Sequence, residues 1–567
     1  MKRDGTLATT SFSEGVKVAR RLNGPSHTSV SNTPKINPVQ IASLILLSAV
    51  AVTMLFWRLG EASLNDWDEA IYAQISKEIV TGGDWITLHW GYENWFHKPP
   101  LFMWVTATFF KFFGVSEFWA RAPSALSGLG LLACSYLIAR KLYDHSVGLL
   151  AVAVLLTNYT FMHFSRFGTT DIALTLFSYL AIYAYLWVYE GKRWAWCGVW
   201  TAIALAVMTK GVAGLAVAIS LTLTLLVTGR IMAALRCRAF WIGLGLAGAI
   251  VIPWHWAMIV IHGQAFIDQY FLYHVVERST GGIEGNEGGP FYYFAALGRN
   301  FFPWVYLLPL AVFQQSKQQI RGIRRQEMSA LLLLMFVLVV FGGFSLASTK
   351  LKWYIIPIYP ALAIWIGALL RPALASKDRR VGVGLLVSGA VVMALFPSRI
   401  VFLSGVLEPL MTGIGLAALM LLSVAVYQFG WRRQILNVAL CGLFLVAGVR
   451  EIKGIYQGYE RPVETLSQAA EVPVSDQMPP LLVAKLSQRL YMPAPMFYSN
   501  RPIAWVRSPD DLADATDTER KQDILLATDD VQKLQSSYDI DVYAKKGKLT
   551  YAGIRRRDRT STSTDNR

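Results

Sequence analysis

The sequence predicts a polytopic α-helical membrane protein of about thirteen transmembrane helices, with a small α/β domain outside the membrane at its C-terminal end. Three observations carry that class. Of the 567 residues 54% are hydrophobic and only 16% charged, with a mean hydropathy of +0.40, where a soluble chain of this size needs more polar surface. About a dozen apolar runs are separated by short polar corners. Lysines and arginines fall in alternate corners, as the positive-inside rule requires of a multi-pass chain.

In chain order, residues 1–37 form a Ser-, Thr- and base-rich arm without apolar period, read as disordered and cytoplasmic. The first membrane helix follows near 38–57, and a polar stretch runs to Pro100. Apolar segments recur at 119–139, 146–163, 172–189, 195–208, 211–228, 239–260, 301–314, 328–347, 353–370, 381–396, 401–428 and 434–449. The basic corners "RKLYDHS", "EGKRW", "TGRIMAALRCR", "QSKQQIRGIRRQ", "RPALASKDRR" and "GWRRQ" fall on one side if residues 101–140 make one net crossing, with 101–113 juxtamembrane or re-entrant. The membrane domain then spans 38–450, with its outer loops at 58–100 and 261–298. Beyond it, "PLLVAK", "PIAWV", "DILLA" and "YDIDVYA" are strand-like and alternate with helix-like stretches, giving an α/β domain over 451–552 and a disordered basic tail over 553–567.

The net charge of +16 fits cytoplasmic loops and lipid headgroups rather than nucleic acid, for which the chain carries no motif. Four cysteines (Cys134, Cys197, Cys237, Cys441) lie in or beside apolar runs without metal-type spacing.

The chemistry-bearing residues crowd the outer side. Residues 63–85, "SLNDWDEAIYAQISKEIVTGGDW", predict a helix with Asn65 or Asp66 as N-cap and Gly82-Gly83 as its stop. Ile71, Ile75 and Ile79 make one apolar stripe, opposite Gln74, Lys77 and Glu78, which predicts an amphipathic helix lying along the bilayer surface. Asp68 and Glu69, with Tyr72 one turn on, begin it. They are either a solvated acidic helix start or a carboxylate placed to handle a proton. In "NWFHKPPLFMW" (94–104), Pro99-Pro100 hold His97 and Lys98 on extended backbone just before the lipid. Lys98, Lys210, Arg278, Lys350 and Lys352 each sit at a loop-to-helix junction on this side, and such a set of cations suits a lipid-linked phosphate. His97 and His274 are candidate ligands of a divalent metal (Zn, or Mg/Mn), or else interfacial hydrogen-bonding groups.

"DWDEAIYAQISKEIVTGGDWITLHWGYENWFHKPPLFMW", followed in order by "SRFGTTDIALTLF", "MTKGVAGL", "GNEGGPFYYF" and "STKLKWYIIPIYPALA", resembles the bacterial GT-C glycosyltransferases, which include the lipid A aminoarabinose transferases and protein O-mannosyltransferase-like enzymes. The resemblance covers roughly residues 40–370. It implies an inner-membrane enzyme with its site facing the periplasm. The reaction implied is transfer of a sugar from a polyprenyl (undecaprenyl) phosphate to a lipid, glycan or protein acceptor, with inversion at the anomeric carbon. It further implies Asp68 and Glu69 as catalytic carboxylates and Lys98, Arg278, Tyr354 and Lys210 as donor-phosphate ligands. Tyr72 and Asp171 would support them, and His274 would be a metal ligand. Ile71 stands where the aminoarabinose transferases have arginine, and His97 where they have glutamate. The alternative from another class is a lipid or solute transporter, which would place its charges at the midplane of broken helices.

Overall fold

The computed structural model describes residues 38–65, 67–277, 288–325, 328–375, 467, 469, 480–484, 493–516, 519–546 and 548–557. The expected arm at 1–37, the apolar segments at 381–396, 401–428 and 434–449, and the tail from 558 onward lie outside the described residues. The chain divides at Ala49/Val50 into two units. The first contributes the opening turns of α1 (Pro38–Phe56), and the second everything that follows.

Among the described residues five stretches are long and apolar enough to cross a membrane: Glu117–Leu142, Thr170–Tyr189, Ala195–Val227, Arg238–His262 and Lys352–Pro372. Two bent pairs add to them. His145–Leu156 and Tyr159–Ser165 meet at 76°, and Tyr292–Asn300 and Trp304–Gln318 at 116°. In chain order the helices are α2 (Asp68–Gly82), α3 (Leu101–Phe113), α4 (Glu117–Leu142), α5 (His145–Leu156), α6 (Tyr159–Ser165), α7 (Thr170–Tyr189), α8 (Ala195–Lys210), α9 (Leu215–Val227), α10 (Arg238–His262), α11 (Tyr292–Asn300), α12 (Leu308–Arg325), α13 (Met328–Leu346) and α14 (Tyr359–Ala375). The predicted runs at 195–208 and 211–228 are α8 and α9, and they are not one rod. Gly211 has φ +57°, and a Cβ on Gly214 would stand 2.4 Å from the Val207 nitrogen. Residues seven apart in a straight helix are about 10 Å apart, so the chain reverses at this corner.

At 13 residues α3 reaches about 20 Å, too short to cross, as expected for 101–113. The helix α2 ends where "GG" predicts, with Gly83 left-handed at φ 77° and its N–H on Ile79 O. Two expectations for α2 are corrected. Its start follows Trp67, itself left-handed at φ 77°, without a side-chain cap; Asp66 lies outside the described residues. Nor does its polar face meet water, for Gln74, Ser76 and Glu78 are buried. The C-terminal domain covers Ala70, Ala73 and Lys77, and the 91–92 turn covers Glu78.

This domain is a five-stranded sheet in the order β4-β3-β5-β7-β6, after the small hairpin β1 (His89–Trp90) and β2 (Glu93–Asn94). Strand β3 (Leu481–Ala484) lies parallel to both β4 (Ile503–Val506) and β5 (Gln522–Ala527); β7 (Leu549–Arg556) is antiparallel to β5 and to β6 (Tyr538–Lys546). The side-chain period of two splits the central strands between two cores. Leu481, Val483, Leu525 and Tyr551 face Ala70 and Ala73 of α2 and Phe110 of α3. Leu482, Ala484, Ile524 and Leu526 face Leu512, Val531 and Leu534 of the domain's own helices. Cover on both faces explains why "LLVA" and "ILLA" are continuously apolar. The four expected strands are present. The boundary at 552 is corrected, since β7 fills the place between β5 and β6 and runs on to Arg556.

Candidate active site

The first turn of α2 carries two acids that point into different surroundings. Glu69 is wholly buried against Arg121 of α4, whose Nε donates to Glu69 Oε1 at 2.7 Å and whose Nη2 donates to Oε2 at 3.2 Å. The carboxylate also accepts the Asn65 and Gly168 backbone N–H groups at 2.7 and 3.0 Å. Arg121 spends its remaining donors on the carbonyls of Leu59, Ala62 and Ser63. Burial pushes the Glu69 carboxyl up, but the Arg121 charge and these hydrogen bonds outweigh it and hold the group below its ordinary value. Every lone pair and N–H of this pair is engaged, so it fixes three segments together: the start of α2, the 59–63 linker and the corner at Gly168.

That corner continues to Asp171. Ser124 of α4 accepts from Thr169 N and donates to Thr169 O, which sets the first turn of α7. Asp171 sits at the positive end of α7 and Lys210 at the negative end of α8, each favoured by its helix dipole. Because α7 and α8 pack side by side in opposite directions, the two ends meet, and Lys210 Nζ donates to Asp171 Oδ1 at 2.5 Å. The Lys210 ammonium also stands 5.4 Å from the Tyr354 ring.

Lys98 arrives by another route. Glu78, buried on α2, accepts the N–H groups of Gly91 and Tyr92 at the tip of the β1–β2 hairpin, at 2.9 and 3.1 Å. The hairpin closes with Trp95 N on Leu88 O and delivers Phe96, His97 and Lys98 beside α2. Burial pushes the Glu78 carboxyl above its ordinary value, against these hydrogen bonds. Lys98 Nζ lies 3.3 Å from Asp68 Oδ2 and 4.4 Å from the centre of the Tyr72 ring. Unlike Glu69, the Asp68 side chain is 38% exposed. The Tyr72 hydroxyl is buried without a hydrogen-bond partner among the described residues.

Lys98 and Lys210 both line one cavity of about 380 Å³, with His97, Asp171, Tyr270, Thr349 and Tyr354 at its polar end. Apart from Ser178, its remaining wall is apolar, with Leu174 of α7, Ala216 and Ile219 of α9, and Phe336, Val339, Val340, Gly343 and Phe344 of α13. The arrangement joins two ammonium groups, each balanced by one carboxylate, to a groove that runs between membrane helices. A half-exposed pair such as Asp68–Lys98 contributes on the order of 1 kcal/mol, so it can open for an incoming phosphate at little cost.

The structure thus brings Asp68, Tyr72, His97, Lys98, Asp171, Lys210 and Tyr354 to one place, and turns Glu69 away into the scaffold. Arg278 lies outside the described residues. His274 belongs to the π-helical stretch Ile267–Glu277, its side chain outside the described set. The ring of His97 stacks on Trp95 at 5.0 Å. Among the described residues no three His, Cys, Asp or Glu side chains gather into a metal-binding group. One expected cation is corrected: Lys350 is buried and donates to the carbonyls of Phe344, Ser345 and Ala347, so it caps the end of α13 rather than facing a ligand. Sequence reasoning missed Arg121 and the similar Arg166, which holds the carbonyls of Met54, Leu55 and Trp57. Their signal was an arginine next to or inside an apolar run. It also missed Tyr270.

Residues 97–256 match the family model described as dolichyl-phosphate-mannose-protein mannosyltransferase. That match spans 160 of the chain's 567 residues. The crystal structure of ArnT from Cupriavidus metallidurans bound to undecaprenyl phosphate shares the GT-C fold at a TM-score of 0.69, covering 90% of this chain and 98% of that one at 23% identity. The apo oligosaccharyltransferase of Archaeoglobus fulgidus aligns at a TM-score of 0.50, covering 83% of this chain and 65% of that one at 12% identity. In sequence, the chain is 32% identical over 336 residues to "Undecaprenyl phosphate-alpha-4-amino-4-deoxy-L-arabinose arabinosyl transferase 1" of Pseudomonas fluorescens, a stretch that covers 58% of this chain and 59% of that protein. The match to this relative therefore spans less than two thirds of the relative's length.

Proposed function

We propose that the protein transfers a sugar from a polyprenyl phosphate to an acceptor on the outer side of the bacterial inner membrane. The observation that carries this reading is the cavity itself. A polar end with Lys98 and Lys210 is continuous with an apolar groove of α7, α9 and α13 side chains, and a lipid phosphate needs both in that order. The relatives whose names include undecaprenyl phosphate support the choice of lipid. Charges at the outer ends of helices, rather than at the midplane of broken ones, favour this over a transporter.

In the reaction, Asp68 takes the proton of the acceptor hydroxyl as its oxygen attacks the anomeric carbon. The new C–O bond forms as the bond from the anomeric carbon to the phosphate oxygen breaks, and the electron pair leaves with the polyprenyl phosphate. Lys98 and Lys210 stabilise the charge that develops there, with Tyr354 beside Lys210 and Arg278 joining from the 261–298 loop. Attack opposite the leaving group inverts the anomeric carbon. Glu69 acts through position, by holding the turn that presents Asp68. A divalent metal belongs to the proposal only as an ion that His97 and His274 would hold, and no step is routed through it.

The same reading places about thirteen helices across the membrane and the C-terminal domain in the periplasm, where it covers α2. A reporter enzyme active only in the periplasm, fused after Arg556, checks that side. The reaction is tested by comparing the polyprenyl-linked sugars of cells with the gene, without it, and with Asp68→Asn. Accumulation of a polyprenyl-phosphate sugar in both altered strains supports it; unchanged pools in both refute it.

A further inference from the structure

Tyr270 stands at the polar end of the cavity with its proton already committed. It leaves the π-helical stretch Ile267–Glu277, is buried, and stacks on Phe266 with ring centres 5.0 Å apart. Its oxygen lies over Gly211, where an added Cβ would come within 3.0 Å of it. Gly211 directly follows Lys210, and both line the cavity with Tyr270. On its other side the hydroxyl is 3.1 Å from His255 Nε2. The partner on the far nitrogen fixes the direction of that bond. His255 Nδ1 is 2.8 Å from the Val251 carbonyl oxygen, and a carbonyl only accepts, so Nδ1 carries the ring proton. In the neutral imidazole Nε2 is then the acceptor, and Tyr270 donates to it.

A tyrosine that has spent its proton offers only lone pairs. It repels a phosphate oxygen, which is itself an acceptor, and it attracts an O–H or N–H. We propose that Tyr270 is a specificity-determining residue that accepts a hydrogen bond from a hydroxyl or amino group of the sugar on the donor lipid, held in that role by His255. This rests on the reading of the cavity as a polyprenyl-phosphate-sugar site. It divides the polar end into two tasks: Lys98 and Lys210 bind the phosphate, and Tyr270 senses what the phosphate carries.

The test uses the purified full chain and two probes: undecaprenyl phosphate, and undecaprenyl phosphate bearing 4-amino-4-deoxy-L-arabinose, the sugar in the names of the relatives. Tyr270→Phe keeps the ring and its stacking and removes only the oxygen. Affinity for the sugar-bearing lipid falls about tenfold, equal to about 1.4 kcal/mol, while affinity for the bare phosphate stays unchanged and the lost bond to His255 shows only as a small fall in melting temperature. A parallel fall for both probes assigns Tyr270 to the phosphate or to the scaffold and overturns the proposal. So does no change for either, or a wild type that binds the two probes equally. Lys98→Ala separates the two readings, because it weakens both probes if the cavity holds the lipid phosphate. A wild type that binds neither probe contradicts the proposed function itself.

Discussion

Two ion pairs begin one residue apart on α2 and end in opposite circumstances. Glu69 meets Arg121 in a closed region where side-chain exposure is 0% and 5%, and carbonyls and amides take up all the remaining hydrogen-bonding capacity. Asp68 meets Lys98 at a longer distance with exposures of 38% and 15%, beside a cavity. Successive residues on a helix point about 100° apart, so "DE" always sends its two acids to different neighbours. The closed pair holds the linker, the helix start and the Gly168 corner in register. The open pair, with Asp171 and Lys210, is what that register positions. A satisfied charge does structural work, and one with exposed lone pairs can change partners.

Breaking the closed pair produces the largest effect. Glu69→Gln leaves the Arg121 guanidinium buried without its counter-charge, which costs about 3–5 kcal/mol; thermal unfolding in detergent reads this as a large fall in melting temperature or loss of folded protein. If Glu69→Gln melts like the wild type, the scaffold role assigned to this pair is wrong. Lys77→Ala sharpens the comparison at the other face of α2. Lys77 donates to Phe497 O at 2.6 Å and also to Asn500, tying the helix to the C-terminal domain, and hydrogen bonds from a charged donor contribute about 1.5–3 kcal/mol. Protease sensitivity of the domain should rise in this variant, with a smaller drop in melting temperature than for Glu69→Gln.

The smallest effect is a difference in slope with pH. Glu69 is held below its ordinary value, so its contribution is present above that value and lost as pH falls through the lowered one. Glu78 is held above its ordinary value, first by burial. Its contribution is full below the ordinary value and lost as pH rises through the raised one. Melting curves from acid to mildly alkaline pH should therefore show Glu78→Gln gaining on the wild type as pH rises. A constant difference across that range would contradict the assignment.

Among the described residues, sequence reading reached the apolar segments, the Gly82-Gly83 stop, the short α3 and four of the five strands of the C-terminal sheet, because each rests on local periodicity or local turn chemistry. It failed where the partner is distant. The face of Gln74, Lys77 and Glu78 is polar whether it meets water, a hairpin 13 residues on as Glu78 does, or a domain 420 residues away as Lys77 does, and only the fold distinguishes these. "LTYAGIRR" reads as the approach to a basic tail until β5 and β6 are seen on either side of it. The cavity followed the same rule. Lys98, Asp171 and Lys210 were visible as charges at helix ends, and their convergence depends on α7 and α8 running in opposite directions. Tyr270 gave no signal, since its chemistry comes from a histidine whose proton is fixed by a carbonyl.

The most direct test sets Asp68→Asn beside wild type in a transfer assay with purified protein and an undecaprenyl-phosphate sugar, with melting temperatures taken on the same samples. The role given to Asp68 predicts that transfer falls by about 10²–10⁴ while the protein melts within about 1 kcal/mol of wild type, as removal of a half-exposed ion pair requires. Transfer at the wild-type rate by a folded Asp68→Asn protein would contradict it.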